Sequence, residues 1–322
     1  MRQQQLAAKN AKITKGKSKI VNQNFTVKSI IIAIILLLTG LDAPAQVTSS
    51  HAYYGARNAA LAASDVAHQN DAWAVFGNPA ALSGMESLSG VFSYENTLGQ
   101  SFLPHTVGSF VAPTEKFGTF GLAFDQMSVN YSGQDLTSEL SVGVYQGLSL
   151  QKDANSTLSL GYGVKYLQVD YGKSAGSSGD GTDGIDLGMS QTIGLDIGLL
   201  ASLADHHYLG AKITNINAPK MGSGNALVDL PMQVKIGAAY SPYHLVWTTF
   251  ALTRQSGTAT QYHGGIEYQA IDQLTLFTGI HSNPNRFGAG LRLRFKSLMV
   301  DYGMITHPVF PVTHQFSLGI AL

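Results

Sequence analysis

Three arginines, Arg286, Arg292 and Arg294, fall at even positions of one alternating stretch, which puts all three on the same face of a β-strand. Guanidinium groups gathered on one face attract a carboxylate or an anionic head group. They serve equally well to pair with acids such as Glu267 and Asp301 and so brace a wall, which is the plainer reading. Other spacings imitate chemistry less closely. Gly172-Lys173-Ser174-Ala175-Gly176 fits a Gly-x-Ser-x-Gly nucleophile pattern, but that device needs a helix after the serine, and Ser177-Ser178-Gly179-Asp180-Gly181 reads as loop. Asp180, Asp183 and Asp186 are candidate Ca²⁺ ligands, yet the spacing and closing glutamate of an EF-hand are missing, so a solvated acidic loop is expected. His206-His207 falls in an expected tight turn without a third ligand, and no metal is assigned there. No nucleophile, base and orienting group can be gathered, so the chain reads as a non-enzyme without a cofactor.

The elements that must position these side chains are strands of period two. Leu158, Leu160, Tyr162, Val164 and Tyr166 alternate with Ser159, Gly161, Gly163 and Lys165. Phe287, Ala289, Leu291, Leu293 and Phe295 alternate with Arg286, Gly288, Gly290, Arg292 and Arg294. The pattern predicts strands over 88–97, 103–112, 117–128, 137–150, 156–170, 190–203, 207–216, 230–241, 244–253, 259–271, 273–281, 286–296, 298–304 and 312–322. Tight turns at 152–155, Asp205-His206, Pro242-Tyr243, Asp272 and Ser297 take turns with longer links at 129–136, 171–189, 217–229, 254–258, 282–285 and 305–311. Short turns at one rim and long loops at the other are the plan of an antiparallel transmembrane β-barrel.

Composition agrees. Only 12% of residues are charged, Gly is over-used at 35, and mean hydropathy is +0.06, as expected where apolar and small polar residues alternate. The 20 basic and 20 acidic side chains cancel, leaving no charge excess for nucleic acid, and the absence of cysteine removes disulfides and thiolate sites. An Arg or Lys facing lipid near mid-membrane costs about 2–4 kcal/mol. Lys165, Lys212, Lys235, Arg292 and Arg294 are therefore expected to face the lumen, with Asp125, Glu139, Asp196, Glu267 and Asp301 as counter-charges. Tyr131, Tyr145, Tyr171, Tyr240, Tyr243, Trp247 and Tyr268 are candidates for interfacial girdles.

The amino terminus reads as an address. Arg2, Lys9, Lys12, Lys15, Lys17, Lys19 and Lys28 precede the apolar run of residues 30–38, and Ala43-Pro44-Ala45 offers small residues to a signal peptidase. Residues 1–45 are the expected signal peptide, cleaved near Ala45, and the run is too short for a spanning helix. Residues 51–85 differ in texture from the alternating stretches: they are Ala-rich, and Asn78 with Pro79 can cap and start a short helix.

Gly55, Ala59-Ala60, Asp71-Ala72 and Asn78-Pro79-Ala80, ahead of a Gly- and aromatic-rich barrel, resemble the FadL-type outer-membrane transporter superfamily. With Asp301-Tyr302 and Thr313-His314-Gln315-Phe316-Ser317-Leu318-Gly319 they most resemble its PorV/PorQ-like branch, associated with type IX secretion. The resemblance implies a barrel of about fourteen strands over 88–322, with 46–87 folded into the lumen as a plug. It also implies residence in the outer membrane of a Gram-negative bacterium. The expected partners are outer-membrane lipid and type IX components or their cargo. The alternative is a channel for small hydrophobic molecules, with an apolar pocket beneath the plug at Trp73, Val75 and Phe76. The chain ends in Ala321-Leu322 rather than the aromatic usual for such barrels.

Overall fold

The computed structural model describes residues 52–131, 134–174, 176–179, 183–204, 206–222 and 228–322. The expected signal peptide and its cleavage site lie outside the described residues. None of the described helices is long and apolar enough to cross a membrane.

Alternation becomes strand throughout. Seven strands form the first half of the wall: β1 (Ser89–Asn96), β2 (Pro104–Thr114), β3 (Gly118–Tyr131), β4 (Gln134–Lys152), β5 (Ser156–Asp170), β6 (Met189–Leu203) and β7 (His207–Thr214). After a small outlying hairpin, β8 (Lys220–Met221) with β9 (Val228–Asp229), comes the second half. It comprises β10 (Gln233–Tyr243), β11 (Val246–Gln255), β12 (Gln261–Ile271), β13 (Leu274–His281), β14 (Arg286–Phe295), β15 (Leu298–Ile305) and β16 (Thr313–Ala321). Each wall strand pairs antiparallel with its neighbours, and β16 returns to β1, giving a closed barrel of fourteen strands with no free edge.

Both ends of the wall open on the short-turn rim, where the links shrink to residues 244–245, 272–273 and 296–297. The expected turn at Pro242-Tyr243 is not one. Both residues belong to β10, where the register shifts between Tyr240 and Tyr243 and so accommodates a residue without an amide hydrogen. The link expected at 129–136 is likewise mostly strand, because β3 and β4 pair as far as Tyr131 and Gln134 and raise a tall hairpin at the long-loop rim. The loop expected over 217–229 contains the β8–β9 hairpin.

Charge placement fixes which face is which. Glu95, Asp125, Glu139, Lys165, Asp196, Lys212, Lys235, Glu267, Arg286, Arg292, Arg294 and Asp301 all fall on the inward-facing positions of their strands. The outward positions carry exposed Phe92, Leu122, Val144, Val164, Ile193, Phe250, Ile266, Phe316 and Leu318 instead. Among the described residues, outward charge occurs only at strand ends, as at Asp170 and Arg254. Tyr240, Tyr243 and Tyr268 are exposed, as girdle residues would be, but Tyr145 and Trp247 point inward. Their odd positions on β4 and β11 are those of inward-facing Glu139 and Thr249, so the pleat outweighs the aromatic preference for an interface.

Candidate functional site within the lumen

The Ala-rich stretch forms two short helices, α1 (Ala56–Ala60) and α2 (Ala74–Gly77), followed by a 3-10 turn over Pro79–Gly84. It runs around the inside of the wall rather than across an open pore. α1 lies against β14 and β15, Leu61 meets β13, Ser64 meets β11 and β12, Val66 meets β7 and β10, and Pro79–Leu82 follow β4 and β5. The wall receives it at inward-facing glycines. A methyl carbon on Gly303 would lie 2.1 Å from the Ala56 carbonyl oxygen, one on Gly279 2.4 Å from Leu61 backbone, and one on Gly161 2.1 Å from Pro79 backbone. Gly288, Gly210 and Gly198 are equally crowded by the segment. Glycine weakens a strand and is placed where another backbone must approach closely, so these positions form a belt cut to the segment's thickness.

Within the segment, Gly55 has φ +94°, and a methyl there would lie 2.6 Å from the Trp73 ring. Asn78 does three jobs. Its side-chain oxygen accepts from Ala80 N at 3.1 Å, capping the 3-10 turn, while its amide donates to Val66 O at 2.9 Å and to Leu199 O on β6 at 3.1 Å. Pro79 opens the turn where its missing N–H has no partner to lose, and Ala80 is fully buried behind it.

The basic cluster expected on β14 separates into three environments. Arg292 is buried and donates twice to Asp301, at 2.7 Å each, and once to Asp71 at 2.8 Å. Asp71 thereby ties the segment to the wall. Burial works to raise its carboxyl pKa, but Arg292 and, after it, Arg57 hold it below the usual value. Arg286 sits at the other end of the strand and donates to the Tyr53 hydroxyl at 3.1 Å. Arg294 is exposed at the short-turn rim. Glu267 joins none of these arginines. Its partner is Arg57, which donates to it at 2.7 and 3.0 Å and also reaches Asp65 at 3.4 Å. Arg57 and Arg292 both lie 5.9 Å from the Phe277 ring centre, so two guanidiniums share one aromatic face region with their acids around them.

Arg57 was not singled out by sequence. Its signal is that it is the single Lys or Arg in residues 46–87. His68 stacks on Trp247 at 3.6 Å, and its Nε2 lies 3.8 Å from Glu267. Burial, reinforced by Arg57, pushes the His68 pKa down to about 3, so this contact is between a neutral ring and a carboxylate, not an ion pair.

Trp73, Val75 and Phe76 are packed together rather than spread around an apolar pocket, and of the three Phe76 alone borders a cavity of mixed lining. They close on Val91, Val107, Val111, Ala123 and Tyr145 as a packed cluster, with Leu82 within it and Met85 against its edge. The segment fills the space because the belt glycines let it come so close. That cavity, of about 250 Å³, lies in the lumen on the long-loop side of the segment. Tyr54 and Phe76, stacked at 4.7 Å, face Lys165, Asp196 and Lys212 on one flank. Lys235, His263, His281 and Arg286 line the other. Lys165 pairs with Asp196 at 2.9 Å, and Lys212 lies 4.0 Å from the same carboxylate and donates to the Phe76 carbonyl. In the 171–188 link, Asp183 accepts from Ser177 N at 3.1 Å and Asp186 from Gly188 N at 2.8 Å; Asp180 lies outside the described residues.

No protein-family model and no curated protein matches the chain. Solved structures do. The CymD monoaromatic hydrocarbon channel is similar with a TM-score of 0.58 at 12% identity, over 84% of this chain and 97% of that one. A Pseudomonas aeruginosa FadL homologue gives 0.55 at 13%, over 88% and 99%. The Pseudomonas putida toluene transporter TodX gives 0.54 at 13%, over 84% and 97%. At these identities the likeness is one of fold alone, that of a closed antiparallel barrel.

Proposed function

We propose that the chain is exported, loses residues 1–45, and sits in the outer membrane as a FadL-type channel for small hydrophobic molecules, with residues 46–87 as its plug. The observation that carries this reading is an apolar seam inside a polar lumen. From Tyr54 and Phe76 at the cavity the seam runs through Trp73 and Val75, against Val91, Val107 and Val111, to Leu82 and Met85. Elsewhere the plug is held by ion pairs and by hydrogen bonds such as those of Asn78, Ser64 and Ser317, whereas along β1–β3 it rests on apolar contacts and the hydrogen bond from Ser109 Oγ to Ala72 O, 2.6 Å. A small apolar solute replaces such contacts without leaving a charge unpaired, so this flank is where the plug yields most cheaply. Membrane placement is supported by the inward charges and by the apolar outer face. The channels of like fold described as carrying monoaromatic hydrocarbons and toluene point to the same class of solute.

A PorV/PorQ-like role in type IX secretion stands second. It rests on the Asn78-Pro79-Ala80 and Thr313–Gly319 stretches, and both have a local structural use. Asn78 fastens the plug, while Gln315 donates to Tyr53 O at 3.0 Å and Ser317 accepts from Ala56 N at 2.8 Å. Such residues speak for a plugged barrel and not for what passes through it.

Uptake of labelled toluene separates the two readings. Deleting the gene should slow uptake while proteins with a type IX sorting domain are still secreted, and Trp73→Arg should fail to restore uptake. Lost secretion with unchanged uptake would overturn the channel.

A further inference from the structure

We propose that the long-loop side of the lumen holds a binding site for an anionic oxyacid group, a carboxylate or a phosphate, built from Lys235, His263, His281 and Arg286. These residues sit on β10, β12, β13 and β14, with Thr253 of β11 completing the row. Their register is direct: Lys235 opposes Thr253, His263 opposes His281, and His281 opposes Arg286. Side chains directly opposed across an antiparallel pair have Cβ atoms about 4.5–5.5 Å apart. Thr253 opposes Gln261 and lies diagonal to His263, so two directly opposed groups, Lys235 with Thr253 and His263 with His281 and Arg286, meet across that diagonal as a ledge on the wall of the cavity they line.

The ledge lacks the partners that buried polar groups ordinarily have. His263 is 4% exposed; its Nδ1 is used by the Ala62 carbonyl at 2.8 Å, and its Nε2 has no partner among the described residues. His281 is 8% exposed with neither ring nitrogen partnered. Thr253 Oγ1 and Arg286 Nε are buried and unpartnered as well. The imidazole rings of His263 and His281 stack at 4.5 Å, which holds their edges in one plane of approach. Among the described residues, no carboxylate lies within ion-pair distance of Lys235 or Arg286.

Charge is concentrated there against its own preference. Lys235 directly opposes Lys212 of β7, and like charges so placed repel. Asp196 answers Lys212 but not Lys235. Two cations, two imidazoles and a hydroxyl converging on a cavity, with no carboxylate at ion-pair distance from either cation among the described residues, suit an oxyacid that accepts several hydrogen bonds at once. Tyr53, whose hydroxyl accepts from Arg286, brings an aromatic ring to the ledge for the organic part of such a ligand. The site is read from the wall alone and stands whether or not the barrel passes hydrocarbons.

Calorimetric titration of the purified barrel in detergent tests it, with inorganic phosphate, benzoate and neutral benzyl alcohol as probes. Saturable binding of phosphate or benzoate is expected, with benzyl alcohol failing to displace it. Phosphate alone would identify a phosphate-bearing ligand, and benzoate a carboxylate. Lys235→Gln with Arg286→Gln should weaken the bound anion by at least about tenfold. His281→Phe keeps the stacked ring without its nitrogens and should weaken binding too. Heat-modifiable migration confirms that each variant folds. No binding of either anion by the unaltered protein, or binding that folded variants keep, would overturn the site.

Discussion

The two faces of the plug differ in how the wall meets them. Along β12, successive inward positions read His263, Gly265 and Glu267; along β14 they read Arg286, then Gly288 and Gly290, then Arg292. The glycines seat the segment. On the short-turn side of that belt the charges are answered: Arg57 by Glu267 and Asp65, Arg292 by Asp301 and Asp71. On the long-loop side, among the described residues, Lys235 and Arg286 have no carboxylate within ion-pair distance, and His263 Nε2 and both ring nitrogens of His281 are unpartnered. One wall thus carries a closed network that fastens the plug, and an open one placed toward the outer rim. A fastening must satisfy its groups within the chain, whereas a binding ledge keeps them for a ligand.

The largest expected effect comes from opening the closed network. Arg292→Met leaves Asp71 and Asp301 buried without their cation, and removing one partner of a buried pair costs about 3–5 kcal/mol. The midpoint of urea unfolding in detergent should fall accordingly. Neutralising the acids as well, with Asp71→Asn and Asp301→Leu, should recover most of the loss, since an apolar replacement of a whole buried ion group is often tolerated. No fall in the single variant would show that the network is not a fastening.

Next in size are the belt glycines. Gly279→Ala and Gly303→Ala drive a methyl into plug backbone and should each cost about 1–3 kcal/mol, with faster proteolysis between residues 56 and 82. Gly264→Ala is the control. It neighbours Gly265 on the same strand but faces outward, where the nearest atom to a methyl is 3.5 Å away. Equal effects at Gly264 and Gly279 would mean that strand propensity, not the plug, sets the glycine pattern.

Those glycines also mark how far the sequence could be read. The wall was legible because period two is local: β5 begins and ends where the alternation does, and β6 differs by one residue. Inward charge followed from its cost in lipid, and the Asn78-Pro79 cap from turn chemistry. Missing was everything set by the stagger between distant strands. Asp71 meets Arg292 across 221 positions and Arg57 meets Glu267 across 210, distances over which no spacing rule reaches. The three arginines of β14 share a face, as parity requires, but six to eight residues of rise carry Arg286 away from Arg292 and Arg294. Inward glycine at mid-strand was the available sign that something sits against the wall.

A smaller effect is expected at Asn78. Asn78→Ala removes the cap and both amide donors, at about 0.5–2 kcal/mol for the cap. Asn78→Asp keeps the capping oxygen but turns an acceptor toward the Val66 and Leu199 carbonyls. It should therefore be no better than alanine, and stability like that of the unaltered protein would show that the wall contact to Leu199 contributes nothing.

The smallest expected effect is the most discriminating. Lys235→Met removes a cation that opposes Lys212 and has no carboxylate within ion-pair distance among the described residues, Asp65 being held by Arg57, so little attraction is lost and a repulsion is relieved. The methionine also fills the space of the lysine stem, so no cavity opens. Unfolding should shift by no more than about 0.5 kcal/mol, and toward greater stability, in the same urea assay that registers Arg292→Met as a large loss. Two inward cations on one wall, one costly to remove and one free, would be the energetic form of the difference between fastening and ledge. If instead Lys235→Met destabilises as Arg292→Met does, Lys235 has a structural counter-charge in solution, and the long-loop face is a second fastening.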